Sequence, residues 1–253
     1  GCLITRNIIM RTQHIILAIL FSGCLSAHAV EMANIPSGSY RPLYLKKDTP
    51  LISVKPFQID KTPVTNAEFA QFVKANPKWQ RGNVSVKQAE SNYLKQWDKN
   101  GPKAADANKP VTNVSWFAAH AYCAAQGKRL PTNDEWEFVG LASELQANGS
   151  NEPSYNRTIL SWYENGSKGL KNIRQNKPNF YGVYDMHGLI WEWTSDFNSS
   201  QITSGTLKAA DFCGSGAVNS SDPSNYAAFL RYGIRTSLQP NFVLHNMGFR
   251  CAK

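Results

Sequence analysis

The sequence lacks any long apolar run, and it contains few cysteines. Its 253 residues include five cysteines, and no two of them have the CxxC spacing of a zinc site. No stretch reaches the ~18 to 20 consecutive apolar residues that a membrane-spanning helix requires. We therefore expect neither a zinc centre nor a membrane span.

The chain also lacks clustered charge. Its formal net charge is +9, but no basic run is longer than a pair such as Lys46-Lys47 or Lys128-Arg129. Nucleic-acid-binding segments are usually dense basic patches. We therefore expect no nucleic-acid partner, and we interpret the positive balance as favouring solubility and a small anionic partner.

A targeting segment is the first pattern that the sequence does contain. From Met10, the single basic residue Arg11 precedes the apolar run 15–21 and a small-x-small triplet at 27–29. This order is typical of a secretory signal peptide. We predict that residues 1–29 are a signal peptide, that residues 30–253 form one domain, and that the protein is periplasmic or secreted. Lipidation at Cys24 is the alternative.

Three helix starts can be read from capping residues. Thr65 with Glu68, and Thr132 with Glu135, have the capping-box spacing, while Ser115 precedes a third helical pattern. The cap residues satisfy backbone N–H groups that have no partner inside the helix. The sequence therefore predicts helices after residues 65, 115 and 132.

The remaining segments look irregular. Residues 78–109 are polar, which predicts a surface excursion. After Gly140 the chain is rich in Gly, Asn and Ser, with short apolar islands. We expect this part to consist largely of loops that are held together by a disulfide, an ion, or both.

One island, GVYDMHGLIWEWTSDF at residues 182–197, places Glu192 between Trp191 and Trp193. As a strand, the segment would direct the two indoles to one face and the carboxylate to the other. As a site, it would have the carboxylate bound to a partner.

Four segments in order resemble the formylglycine-generating enzyme and sulfatase-modifying factor family. They are FQIDKTPVTNAEF, PVTNVSWFAAHAYCAAQGKRLPTNDEWEF, YGVYDMHGLIWEWTSD and NMGFRCA. The resemblance extends over about residues 35–252. It implies an α+β fold with little regular secondary structure, related to the C-type lectin fold.

The resemblance implies a structural calcium ion. The family's ligands correspond to the side chains of Asp185 and Glu192 and to the backbone carbonyls of Gly188 and Ile190, and such hard oxygen donors suit calcium. The alternative is that both carboxylates form salt bridges with nearby lysines.

The resemblance also implies a disulfide between Cys123 and Cys251, which would leave Cys213 as a free thiol. Catalytic members of the family bind copper(I) through two further cysteines. Aligned backward from GFRC, those positions hold Asp222 and Ala227, which cannot supply thiolates. We therefore expect no copper and no formylglycine generation, and we assign no catalytic residue.

The family's cleft remains a candidate binding site. Its residues could stack a ring and grip a carboxylate in a bidentate manner. The alternative has the tryptophan in the core and the arginines in structural pairs. By family position the cleft contains Trp191, Ser215, Asp222, Tyr226, Arg231 and Arg235.

Three functions fit these observations. The first is an exported small-molecule-binding or protection protein, such as relatives that give intrinsic resistance to carbapenem antibiotics. The second is a periplasmic oxidoreductase of natural-product or siderophore maturation, with Asp222 or Glu192 as general base. The third is an accessory subunit that contacts a protein partner.

Overall fold

Short strands and helices joined by long irregular segments make up the fold. The computed structural model describes residues 30–42, 48–165, 169–199 and 223–253. None of the helices in these ranges is both long and apolar enough to cross a bilayer. The elements are β1 (Met32–Ile35), β2 (Gly38–Tyr40), β3 (Ile52–Val54), β4 (Phe57–Asp60), α1 (Asn66–Ala75), α2 (Trp116–Ala125), α3 (Asn133–Gly140), α4 (Pro153–Asn165), β5 (Trp191–Glu192), α5 (Pro223–Ser237) and β6 (Met247–Gly248).

The strands form three two-stranded sheets. β1 pairs with β4 and β2 with β3 in antiparallel register, whereas β5 pairs with β6 in parallel. In β4 the apolar side chains of Phe57 and Ile59 are buried, as period-2 alternation requires. Near the end of the chain, Ala252 bridges to both Ile59 and Arg129. The C-terminal segment thus connects β4 to the segment around Arg129.

The predicted helix starts are confirmed. Thr65 with Glu68 and Thr132 with Glu135 form reciprocal capping boxes on α1 and α3, and the Ser115 side chain accepts a hydrogen bond at the start of α2. Each cap satisfies a backbone N–H that would otherwise lack a partner.

A first core lies between α1, α2 and the segment that follows α1. The aromatic side chains of Trp79, Tyr93 and Trp97 are almost fully buried there, and the ring centroid of Trp97 lies 6.0 Å from that of Phe69 on α1. Trp97 Nε1 also donates to Asn66 Oδ1 at 2.9 Å. The prediction of a surface excursion at 78–109 is therefore wrong in part, because these rings anchor an irregular backbone that has no helical or strand period.

A second core covers the β1–β4 sheet with one face of α3. Ile35, Ile59, Trp136 and Val139 are buried in it together with Ala252 near the C-terminus. A third, small cluster joins α4 to α5. The expectation of a largely irregular chain after residue 140 is therefore wrong for residues 153–165 and 223–237.

The C-terminal segment is held to the rest of the fold by a disulfide and by a hydrogen bond to a buried carboxylate. A disulfide joins Cys123 of α2 to Cys251, with Cα atoms 5.6 Å apart and a sequence separation of 128. On the loop-entropy account, a closure of this length contributes about 4 to 5 kcal/mol. The Cys251 N–H donates to Asp60 Oδ2 at 2.9 Å, and Lys128 Nζ lies 2.7 Å from Asp60 Oδ1.

Candidate functional site

Glu192 lies on β5 between two indoles, and its carboxylate is bound inside the protein. Arg250 Nε donates to Oε2 and Nη2 donates to Oε1, both at 2.8 Å, while Trp136 Nε1 donates to Oε2 at 2.9 Å. Trp193 packs on the opposite side, in the first core. Glu192 therefore lies on a strand and its carboxylate is also bound, by a buried arginine and not by a lysine.

The guanidinium of Arg250 is satisfied on every side. Its Nη1 donates to the Asp60 carbonyl at 3.2 Å and its Nη2 to the Tyr184 carbonyl at 2.9 Å. The side chains of Arg250 and Glu192 are both 0% exposed. Because its carboxylate is shielded from solvent and held by Arg250, Glu192 is unsuited to be the general base of an oxidoreductase.

The expected calcium ligands lie on the loop before β5. Asp185 has a left-handed backbone, with φ of 59°, and its Oδ2 accepts from the Arg174 N–H at 2.7 Å. Burial raises the pKa of Asp185. Among the described contacts, the carbonyls of Gly188 and Ile190 accept no hydrogen bond. These donors fit a hard cation, whereas Glu192 would have to share its oxygens with Arg250, so the calcium site stays a prediction.

Arg231 and Arg235 of α5 hold a carboxylate of the protein itself. Arg231 Nε and Nη2 and Arg235 Nη1 each donate to Glu137 of α3 at 2.8 Å. Both guanidinium groups also lie 5.2 Å from the ring centroid of Trp136. We call Glu137, Arg231 and Arg235 the arginine clamp.

The clamp has a clear electrostatic signature. Burial by itself would raise the pKa of Glu137, but Arg231 and Arg235 outweigh that effect and lower it to about 2. The carboxylate is therefore ionised throughout the physiological range. In this arrangement the arginines form a structural pair, as the alternative interpretation of the sequence had it.

Of the other residues of the expected cleft, the side chain of one is described and those of the rest are not. Trp191 is half-buried and its ring centroid lies 4.9 Å from that of Trp162 on α4. Ser215, Asp222 and Cys213 lie outside the described residues, as does the side chain of Tyr226. The structure thus brings Trp191 and the two arginines to one region and leaves the rest of that prediction untested.

At the expected copper positions, Ala227 is described and Asp222 is not. Ala227 is fully buried and packs with Tyr155 and Ile159 of α4. A methyl group at this position contributes to helix packing and offers no metal ligand.

His187 joins α3, α4 and the loop before β5. Its Nε2 donates to the Gly140 carbonyl at 2.6 Å, and the Tyr155 hydroxyl donates to the same carbonyl at 2.7 Å. Burial and the nearby Arg231 lower the pKa of His187 to about 4. The imidazole is therefore neutral near pH 7 and acts as a hydrogen-bonding strut.

An open cleft of about 570 Å³ lies between α4 and the loops around residues 169–189. It was missed from the sequence because α4 was not predicted. Tyr155 and Ile159 are buried at i and i+4, and Trp162 is partly buried at i+7. This spacing is a helical signal that could have revealed the helix. The cleft is lined by Ser154, Arg157, Thr158, Ser161, Trp162, Gly169, Lys171, Asn176, His187, Gly188 and Leu189.

Comparisons with known proteins identify relatives over most of the chain. Residues 26–253 match the family model of the sulfatase-modifying factor enzyme 1-like domain. Inactive Cα-formylglycine-generating enzyme 2 of Bos taurus is 31% identical over 90% of this chain and 89% of that protein, and its Mus musculus counterpart is 33% identical over 79% and 76%.

The chain is also similar to one bacterial relative and to one solved structure. The formylglycine-generating enzyme of Streptomyces coelicolor is 29% identical over 81% of both chains. The crystal structure of CarF superposes with a TM-score of 0.50 at 17% identity, covering 88% of this chain and 98% of that one. This structural likeness concerns the fold alone.

Proposed function

The chain belongs to the sulfatase-modifying factor family, and from this membership we propose that it is an exported small-molecule-binding or protection protein that generates no formylglycine. The fold is that of the formylglycine-generating enzymes, and relatives over most of its length are named as inactive members. The proposal assigns the scaffold a binding role in place of oxygen chemistry.

The cysteine inventory carries this proposal. Outside residues 1–29 the sequence contains only Cys123, Cys213 and Cys251. The disulfide consumes Cys123 and Cys251, so Cys213 is the one remaining thiol outside residues 1–29. A copper(I) site that depends on two thiolates cannot be assembled from one.

The charge of the chain supports an anionic ligand. The net charge of +9, which becomes 25 − 18 = +7 once Arg6 and Arg11 leave with residues 1–29, favours approach of small anions. A carbapenem antibiotic, which carries a carboxylate, is the ligand class that we propose to test first. We also propose that calcium, if bound through Asp185, Gly188 and Ile190, has a structural role.

Two assays on the purified protein test the proposal. In the first, a cysteine-containing sulfatase peptide is incubated with the copper-treated protein and oxygen, and no aldehyde is expected. In the second, thermal unfolding is followed with and without a carbapenem, and a ligand that binds only the folded state is expected to raise Tm. Peptide oxidation, or a Tm unchanged by carbapenems and other small anions, contradicts the proposal.

A further inference from the structure

We propose that the open cleft beside α4 binds a small molecule that carries both a ring and a carboxylate, with Arg157 and Lys171 holding the anion and Trp162 holding the ring. This inference rests on the proposed binding function, and it names the residues and the ligand class. The arginine clamp is not the anion site, because Glu137 already occupies it.

One face of α4 packs against the protein and the other lines the cleft. Tyr155 and Ile159 face inward and are buried against α5. Ser154, Arg157 and Thr158 are exposed on the opposite side and line the cleft. Packing therefore explains the inner face. On the outer face the Thr158 hydroxyl donates to the Ser154 carbonyl at 3.1 Å, and within the described residues Arg157 forms no ion pair.

The charge of the cleft wall is of one sign. None of the described side chains that line it is acidic. Arg157 and Lys171 are exposed, and no ion pair of either one is found within the described parts of the chain. A cleft whose described side chains include two cations and no carboxylate attracts anions and can offer charge-assisted hydrogen bonds to a carboxylate.

A neighbouring cleft provides an internal contrast. Its volume is about 490 Å³, and its wall includes the carboxylates of Glu144, Glu152 and Asp185. The two clefts share Ser154, Thr158, Asn176 and His187. Since the described wall of the first cleft has cations and no carboxylate, an anion is expected to select it over its neighbour.

The ring component follows from Trp162. This indole lines the cleft. Its ring centroid lies 4.9 Å from that of Trp191, and this contact holds the indole against the protein. Aromatic ligand rings pack against such a surface in offset or edge-on geometry. The volume of about 570 Å³ lies within the range of drug-sized ligand sites.

Isothermal titration calorimetry with three probes tests the inference. The probes are indole-3-acetate, its neutral isostere indole-3-acetamide, and inorganic phosphate. We expect indole-3-acetate to bind at least about tenfold more tightly than either of the other two, because only it combines a ring with an anion.

Matched variants locate the site. Arg157→Ala combined with Lys171→Ala should weaken indole-3-acetate binding by about tenfold or more. Lys87→Ala combined with Lys99→Ala removes the same charge from exposed positions that do not line the cleft, and it should change affinity by less than about twofold.

Several results overturn the inference. They are equal binding of the acid and the amide, equal binding of phosphate and indole-3-acetate, equal losses in the two double variants, or no binding of any probe. If a carbapenem raises Tm equally in the wild type and in the Arg157→Ala/Lys171→Ala variant, the site is wrong while the proposed function stands. If the protein binds indole-3-acetate as expected but oxidises the sulfatase peptide, the cleft is right while the proposed function is wrong.

Discussion

The two buried arginine–carboxylate clusters differ in what they hold together. The Arg250–Glu192 pair joins the C-terminal segment to β5, with both side chains 0% exposed. The arginine clamp joins α5 to α3, and its side chains are between 6% and 10% exposed. The first cluster lies where the main cores meet the disulfide, whereas the second attaches an outer layer of helices.

The difference indicates how stability is distributed. Around Arg250 the chain has two extensive cores and a covalent bond. The α4–α5 layer has the small cluster of Tyr155, Ile159 and Ala227 together with the clamp. Regions with few buried apolar contacts open first. We therefore expect α5 to open at a lower free energy than the region around β5 and β6.

Removing the disulfide should have the largest effect on the central region. The double change Cys123→Ala and Cys251→Ala is expected to lower the free energy of unfolding by about 4 to 5 kcal/mol, since the unfolded chain regains the freedom of a long loop. Urea denaturation of both proteins measures it. A loss below about 1 kcal/mol would mean that the C-terminal segment is held by its non-covalent contacts alone.

Breaking the central ion pair should cost slightly less. Arg250→Met leaves the Glu192 carboxylate buried without its partner, and such changes typically cost about 3 to 5 kcal/mol. Arg129→Ala is the control, because its pair with Glu135 is partly exposed and should contribute less than about 1 kcal/mol. Similar losses of unfolding free energy in the two variants would show that the buried Arg250 pair stabilises the fold no more than an exposed pair does.

Breaking the clamp should loosen the outer layer selectively. Glu137→Gln leaves two buried arginines without their counter-charge and is expected to cost about 3 kcal/mol. Amide hydrogen exchange should accelerate mainly in α5, with β5 and β6 little changed. Uniform acceleration along the chain would contradict the two-region description.

The same residue predicts a pH dependence. The pKa of Glu137 is lowered to about 2 from an ordinary 4.5, so between these values the unfolded chain binds more protons than the folded one. The contribution of Glu137 is therefore fully present above pH 4.5 and is lost as the pH falls towards 2. Denaturation midpoints measured across this window should fall more steeply for the wild type than for Glu137→Gln.

The cleft cations should have the smallest effect on folding. Arg157→Ala with Lys171→Ala is expected to change the free energy of unfolding by less than about 0.5 kcal/mol, because both side chains are exposed. A loss comparable to that of Glu137→Gln would show that these cations support the fold and would count against a ligand role.

Local signals in the sequence account for what could be predicted. Capping boxes at Thr65 and Thr132 depend on residues three positions apart, so they can be read directly. The family resemblance supplied the fold. In contrast, the partner of Arg231 lies 94 residues away at Glu137, and no local pattern indicates such a pairing.

The missed elements have physical reasons as well. The aromatic residues between 79 and 97 are buried without a regular period, so they resemble a polar loop in the sequence. Helix α4 exposes Ser154, Arg157 and Thr158 on its outer face, which hides the buried spacing of Tyr155 and Ile159. Tertiary packing determines both cases, and it cannot be read from composition.

Copper(I) titration against a competing chelator, with the protein's disulfide intact, tests the central claim most directly. The claim is that this scaffold keeps the family fold without a two-thiolate metal site. We expect no stoichiometric copper uptake and no change on replacing Cys213 by Ala. Binding of one copper(I) per chain that depends on Cys213, together with oxidation of a sulfatase peptide, would contradict the account.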